Sequence, residues 1–418
     1  MVPSAITVEN FRCYRRAQRF DLKPITVFFG RNNSGKSAIM RLFPMLADSF
    51  LSDGLDALRL DKRLVGWSHR FRTLRSGDLA PTDDPTIGIT LEFAAQPVQS
   101  VTWRLFEPAE WNRIVVNNFN VQYLEVSAEL ELRGPFPNDR LSLELPYRTG
   151  NAKESRKAFH GLNPAFDVTD SAKVNQFLRG LQMKVVWLHA LRQVPARETR
   201  FNGPVRWELE PSGKDAPILL FGQDAVRKSV AAWFEKHARH RLLIEEDPPQ
   251  SRLVASRIRP LTKLGFNIDL IDAGEGLGQL LSVLTGVELL RHRSPESGPD
   301  VLAIEEPEAH LHKDLQRALV DELVAVTQLQ TGGITLLETH AETILLSLQL
   351  AVADGRLRRE DLAIYWVRND DGNATAERVE LGPDGWFDAG WPPSALGEDR
   401  ELRAALQTCW DSMPESAV

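Results

Sequence analysis

Residues Val27 to Met40 read VFFGRNNSGKSAIM. Apolar residues run into a glycine-rich turn, and Lys36 and Ser37 then open SAIMRLFPMLADSF, which has helical apolar spacing. Such a turn costs backbone entropy and buries little. Gly30 to Ser37 fits G-x-x-x-x-G-K-S, a pattern whose glycines let backbone N–H groups turn inward around phosphate oxygens. The positive end of the following helix points at the same anion. The stretch predicts a strand, a phosphate-binding loop (P-loop) and a helix. Lys36 is expected to reach the β- and γ-phosphates of a bound triphosphate, and Ser37 to ligate Mg²⁺.

Working outward, 418 residues suit one large α/β domain with an insertion. The formal net charge of −7 argues against a protein that coats DNA through its overall charge, so nucleic acid would need a local basic patch. Cys13 and Cys409 are too few for a disulfide framework. The N-terminal MVPSAITVENFRCYRR lacks a signal-peptide core, and no apolar run is long enough to span a membrane. A cytoplasmic protein with no membrane partner is the expectation.

SAITVENF and ITVFF read as strands. Between about 85 and 147, TIGITLEF, VQYLEVSAELEL and LSLELPY alternate apolar and polar residues, predicting an inserted antiparallel β subdomain. Residues 151–180 are polar and read as helix or loop. MKVVWLHAL reads as a buried strand entering the loop RQVPARETRFNG. Residues 217–241 read as helix with a basic end. FNIDLIDAGEGLGQLLSVLTGVELL reads as strand, glycine turn and helix, so about 191–294 is expected to be a helical lobe. DVLAIEEPEAHLH and GITLLETHAE are buried strands ending in polar turns, and LAIYWVRN and AERVEL are late strands. Residues 391–418 read as a helix and tail after a main unit spanning 1–390. Strands separated by helices make the fold α/β with a mixed central sheet. There is no internal repeat and no long heptad run.

The apolar strand in VLAIEEPE ends in Glu305 and Glu306. An acid there presents a carboxylate to Mg²⁺ and its water. Glu305 is the expected metal acid, and Glu306 the group that polarises the attacking water. LLETH sets His340 after another apolar strand, where a histidine can sense the γ-phosphate. His310 and His312 lack further ligands for zinc. DAGEGLGQ, Asp272 to Gln279, opens a helix without a lysine, so it is no second P-loop but an anion-binding helix start.

These pieces resemble the ABC-type ATPase heads of the SMC, RecF and OLD group. ITVENFRCY…LKPITVFFGRNNSGKS, DAGEGLGQLLSV, VLAIEEPEAHLH and LLETHAE follow that group's order from residue 4 to about 387. The small OLD-like bacterial ATPases, including those of the Septu, Gabija and PARIS anti-phage systems, look most similar. The resemblance implies a head-to-head homodimer with each ATP between one P-loop and the other chain's signature turn. By position it implies that Arg12, Gly30, Asn32, Asn33, Ser34, Gly35, Lys36, Ser37 and Ala38 hold nucleotide. It assigns Gly274, Gly276, Gly278 and Gln279 to the signature, Ser37 and Glu305 to the metal, and Glu306, His340 and Lys36 to catalysis. His310 falls on the D-loop.

The chain departs from the group in four places. Glu305 stands where Asp is more usual and has a longer reach. Gly278 stands where a Ser or Thr meets the partner's γ-phosphate, which implies slow turnover. Gln193 is a weak match to the Q-loop. NDDGN around Asp370 does not supply the Glu and Asp-x-Asp set of a Toprim nuclease. The resulting expectation is an ATPase that controls a separate effector, a nuclease subunit encoded nearby, in anti-phage defence. A RecF-like repair ATPase and an ATP-binding scaffold are the alternatives. DNA is a further candidate partner through Arg12 to Arg19, Arg192 to Arg206, or Arg227 to Arg241 with Lys228, Lys236, Arg239 and His240.

Overall fold

A computed structural model describes residues 1–50, 52, 54–60, 71–76, 85–94, 97–108, 111, 113–124, 126–133, 142–149, 154–201, 208–262, 265–294 and 297–387. The expected C-terminal helix and tail at 391–418 lie outside the described residues.

ITVFF, Ile25–Phe29, and VLAIE, Val301–Glu305, are buried along their whole length. Uninterrupted apolar runs suit strands covered on both faces. They join Val185–Leu188, Ile334–Thr339, Leu362–Asp370 and Asn373–Val379 in one six-stranded sheet. Its order is Val185, Val301, Ile334, Ile25, Leu362, Asn373, naming each strand by its first residue. All neighbours are parallel except the last pair, which gives the expected mixed sheet. Alternate residues enter two cores. Val27, Leu188, Ile304 and Leu337 face one, while Phe28, Trp187, Ala303 and Leu336 face the other.

The register aligns the polar ends of these strands. Glu305 lies opposite Glu338, Glu338 opposite Phe28, and Thr339 opposite Phe29. The carboxyl ends of three adjacent strands, far apart in sequence, therefore share one edge. The helix Lys36–Phe50 starts at that edge and packs beneath the sheet, buried on nearly every side. Helices Glu275–Arg291, Lys313–Gln328 and Glu342–Ala353 supply the apolar cover of the opposite face.

The alternating strands belong to a nine-stranded antiparallel sheet that is not detached from the N-terminus. Ile87–Glu92 pairs directly with Ala5–Glu9, which pairs on its other side with Gln18–Asp21. The sheet continues to Ser155–His160 and Asn163–Pro164, extending the insertion past its expected end. The charged SRKAFH at 155–160 reads as helix or loop from sequence but is a strand. Of its side chains only Phe159 is buried, so the strand leaves little alternation to read. Helix Ala172–Arg179 follows.

The lobe at 191–294 is mixed rather than helical. Helices Ala216–Gly222, Asp224–Trp233 and Glu275–Arg291 pack with an antiparallel sheet of Glu198–Arg200, His240–Glu246, Leu253–Pro260 and Ile268–Asp269. The basic run does not share one helix face. The helix ends in a π-turn, Phe234–Ala238, and Arg239 turns left-handed with φ of 60° before His240 opens a strand.

Candidate nucleotide site

The glycine loop sits at the shared edge of the parallel strands. Lys36 is only 4% exposed, and its Nζ donates to the carbonyls of Gly30 at 2.9 Å and Arg31 at 2.8 Å. Burial lowers its pKa, opposed by the charges of Glu338, Glu306 and Glu308. The nearest carboxylate, Glu338, stays 4.0 Å away. The loop thus holds a desolvated cation beside its own cleft, which is the electrostatic setting an anion fills.

Gly35 has φ of 113°, and a side chain there would place its first carbon 2.7 Å from the Cys13 sulfur. Tyr14 donates its hydroxyl to the Gly35 carbonyl at 3.1 Å. NFRCY therefore forms the floor of the loop. Arg12 donates to the Thr73 carbonyl at 2.9 Å. Arg12, Asn33, Ser34, Gly35, Lys36, Ser37 and Ala38 line one cleft of about 390 Å³, within the range of small-molecule sites. Asn32 lines the adjoining hollow with Trp366 and Asp370. Asn369 steadies the loop by donating to the Asn33 carbonyl at 3.2 Å.

Glu305 is buried, but its partners are not those the sequence suggested. Arg41 Nε and NH2 donate to its two oxygens at 2.8 and 3.0 Å, and Trp187 Nε1 donates at 3.1 Å. Metal contact would require Arg41 to let go. Glu306 adopts φ of 46°, a strained region for a non-glycine residue, and donates its N–H to the Glu338 carbonyl at 2.7 Å. Arg192 fixes this corner. Its guanidinium donates to the carbonyls of Glu305 at 2.6 Å, Glu306 at 2.8 Å and His189 at 3.2 Å. Burial pushes the Arg192 pKa down to about 10.

His340, just past the end of strand Ile334–Thr339, is about half exposed and does not line the cleft; its Nδ1 lies 3.7 Å from Glu308. Glu308 is buried and accepts from the Thr339 hydroxyl at 2.6 Å and the His340 N–H at 3.2 Å. It couples the acidic turn to the histidine turn. Between these motifs lies Glu338, whose Oε1 accepts from the Ser37 hydroxyl at 2.7 Å. Burial raises its pKa to about 7, helped by the charge of Glu305 and opposed by Ser37 and Lys36.

The signature turn divides into two parts. Gly274 is exposed at the helix start, and Gly276 approaches the His310 carbonyl. Gly278 and Gln279 are buried inside the chain. A side chain at Gly278 would put a carbon 2.4 Å from Val194. Gly278 is thus a packing glycine, and the surface a second chain can meet is Gly274 to Gly276. His310 lies 3.5 Å from the Glu275 carboxylate. His312 caps helix Lys313–Gln328 by accepting from the Asp314 N–H at 3.4 Å. Gln193 is exposed and does not line the cleft.

Several of the basic residues are paired within the chain, while 202–207 lie outside the described residues. Arg227 and Lys228 meet Asp224, Arg241 meets Glu235, and Arg197 meets Asp269 and Asp272. Sequence reasoning missed Glu338, Arg41 and Glu308, and took Arg192 for the start of a DNA-facing basic segment, whereas it is buried against backbone carbonyls. A carboxylate inside the apolar run LLETH was the available signal for Glu338. The arginines act across the fold and left no local signal.

Residues 25–347 match the family model described as "AAA domain, putative AbiEii toxin, Type IV TA system". No curated protein matches the chain. Among solved structures, "Crystal structure of the SmcHead bound to the C-winged helix domain of ScpA" superposes with a TM-score of 0.50 at 11% identity, covering 91% of this chain and 98% of that one. "SMC head domain from Thermotoga maritima" gives 0.44 at 11% identity, with 91% and 100% covered. With the sheet order and P-loop described above, the fold is that of a P-loop ATPase head of ABC type.

Proposed function

The chain belongs to the AAA-domain family whose model it matches over residues 25–347, and from that premise we propose that it binds and hydrolyses ATP with Mg²⁺. The observation that carries this reading is the convergence at one sheet edge. Lys36 is held by two loop carbonyls, Ser37 faces a buried carboxylate, and Glu306 and His340 stand on the neighbouring strand ends. The residues fit a hard divalent cation, because Ser37 brings a hydroxyl and Glu338 a buried carboxylate with one oxygen lacking a partner among the described residues. Bound Mg²⁺ supplies neutralisation of phosphate charge.

In this reading Lys36 and the loop N–H groups position the β- and γ-phosphates. Glu306, fixed by Arg192 and by its own N–H bond, orients and polarises water, and His340 marks the γ-phosphate. Two chains meet head to head, each offering Gly274 to Gly276 to the other's nucleotide. The ATP cycle then controls a separate effector, a nuclease subunit encoded nearby, in a bacterial anti-phage system of the OLD-like kind. The pairing of Arg197, Arg227, Lys228 and Arg241 within the chain leads us to assign any DNA contact to that partner. The protein works in the cytoplasm.

The test is ATP turnover by the purified chain, followed by nucleolytic activity when it is co-expressed with the neighbouring gene. Lys36→Ala abolishes both if the reading holds. A neighbouring nuclease that works equally well with Lys36→Ala overturns the control role.

A second reading, an ATP-binding scaffold with slow turnover, has one observation in its favour. The exposed part of the signature turn offers no hydroxyl, and carries Glu275, 68% exposed, where a partner's γ-phosphate would approach. An acid there repels the phosphate. ATP-dependent dimers with turnover no faster than that of Glu306→Gln would favour it.

A further inference from the structure

Of the two buried acids near the P-loop, the one assigned to the metal by its position in the chain is the less available. Both oxygens of Glu305 accept from Arg41, and Trp187 Nε1 and the Ala190 N–H add to them at 3.1 and 3.4 Å. Four donors leave this carboxylate little capacity for another ligand.

Glu338 is the opposite case. It is 5% exposed, lines the nucleotide cleft, and sits on the strand between the P-loop strand and the Glu305 strand. One oxygen accepts from Ser37 at 2.7 Å, and the other is buried with no hydrogen-bond partner among the described residues. A carboxylate oxygen left unsatisfied in a low-dielectric site is costly and calls for a ligand. Lys36, at 4.0 Å, is beyond hydrogen-bond reach and gives its protons to the loop carbonyls.

We propose that Glu338, rather than Glu305, is the protein carboxylate that holds the divalent cation beside Ser37, and that the Arg41–Glu305 pair is a brace for the strand ends. This rests on the reading of the cleft as an ATP–Mg²⁺ site. A small hard cation takes one or two carboxylates, phosphate oxygens and water. One hydroxyl and one carboxylate are what this cleft offers. Among the described residues no group of three or more acids, histidines or cysteines forms a cage, so nucleotide and protein hold the ion together.

The experiment is an electron paramagnetic resonance titration of Mn²⁺ into the full chain with a non-hydrolysable ATP analogue. Analogue binding in EDTA is measured alongside. Glu338→Gln should weaken Mn²⁺ binding by about tenfold or more, the scale seen when groups around a metal site are removed. Metal-free analogue binding should persist. Glu338→Asp should recover part of the loss, and Glu305→Gln should cost much less. Mn²⁺ affinity in Glu338→Gln within about twofold of wild type, or a larger loss in Glu305→Gln, would overturn the assignment. Loss of metal-free analogue binding in Glu338→Gln with Mn²⁺ affinity retained would make Glu338 a partner of Lys36 instead, and likewise overturn it. Circular dichroism identifies a variant that fails to fold, in which case Glu338→Asp carries the same comparison. A wild-type chain that binds no analogue at all would remove the ATP reading and this proposal together.

Discussion

Replacing Arg192 by methionine isolates the device that holds the acidic turn. The guanidinium donates three hydrogen bonds, to the carbonyls of His189, Glu305 and Glu306. Bonds from a charged donor contribute roughly 1.5–3 kcal/mol each, so their loss costs about 5–9 kcal/mol before any offset. The offset is the cost of burying the charge. Burial, partly opposed by the charges of Glu308, Glu306 and Glu305, moves the Arg192 pKa from 12.5 to about 10, a net offset of roughly 3 kcal/mol at ~1.4 kcal/mol per unit. A net destabilisation of about 2–6 kcal/mol follows. At ~2 °C per kcal/mol for a large domain, melting falls by roughly 4–12 °C. Function should fall further than stability. Glu306 is held at φ of 46°, and without Arg192 its backbone is freer to relax toward the right-handed region. A displacement of about 1 Å at a catalytic group costs on the order of a hundredfold in rate. Arg192→Lys should rescue little, because one ammonium cannot reproduce a planar fork. The assay is steady-state ATP turnover with thermal melting on the same samples. Arg192→Met with wild-type melting and wild-type turnover would refute the bracing role.

Other tests probe the remaining parts. Lys36→Ala should abolish analogue binding in equilibrium dialysis, since the phosphates lose their fixed cation. Glu306→Gln should retain binding, lose turnover and shift sedimentation toward dimer with ATP and Mg²⁺ by mass action, and a chain that stays monomeric argues against head-to-head assembly. Gly278→Ser should lower melting, reflecting about 1–3 kcal/mol of overpacking against Val194, without raising turnover. Faster turnover in that variant would mean the turn rearranges. Burial raises the Asp215 carboxyl from 3.8 to about 6, so the folded state binds its proton more tightly than the unfolded chain does. That stability is present below about pH 4 and lost as pH rises through 6. Asp215→Asn should therefore melt higher than wild type at pH 7, with the difference shrinking toward pH 4, and a pH-independent difference would count against the buried charge.

The sequence by itself determined the chemistry that lies within single short segments. GRNNSGKS dictates a loop whose N–H groups and lysine address phosphate, because glycine spacing and a following helix are local properties. The largely apolar runs ITVFF, VLAIE and ITLLET determined buried strands for the same reason, while their parallel order came from the fold. Segments whose identity depends on distant partners were not legible. SRKAFH became a strand through its pairing with Glu144–Thr149, and 191–294 became a mixed lobe through ladders such as His240–Glu246 with Leu253–Pro260. The allocation of roles among the acids also belongs to the tertiary structure. Glu305 stands where a metal acid is expected in the chain, but Arg41 reaches it from the P-loop helix and Trp187 from the neighbouring strand. Glu338 carries no recognisable spacing, and only strand order sets it against Ser37. Gly278 reads as a surface turn residue until Val194 is seen packed on it. Hydrogen-bond occupancy and burial depend on what folds against a residue, and neither is encoded in its immediate neighbours.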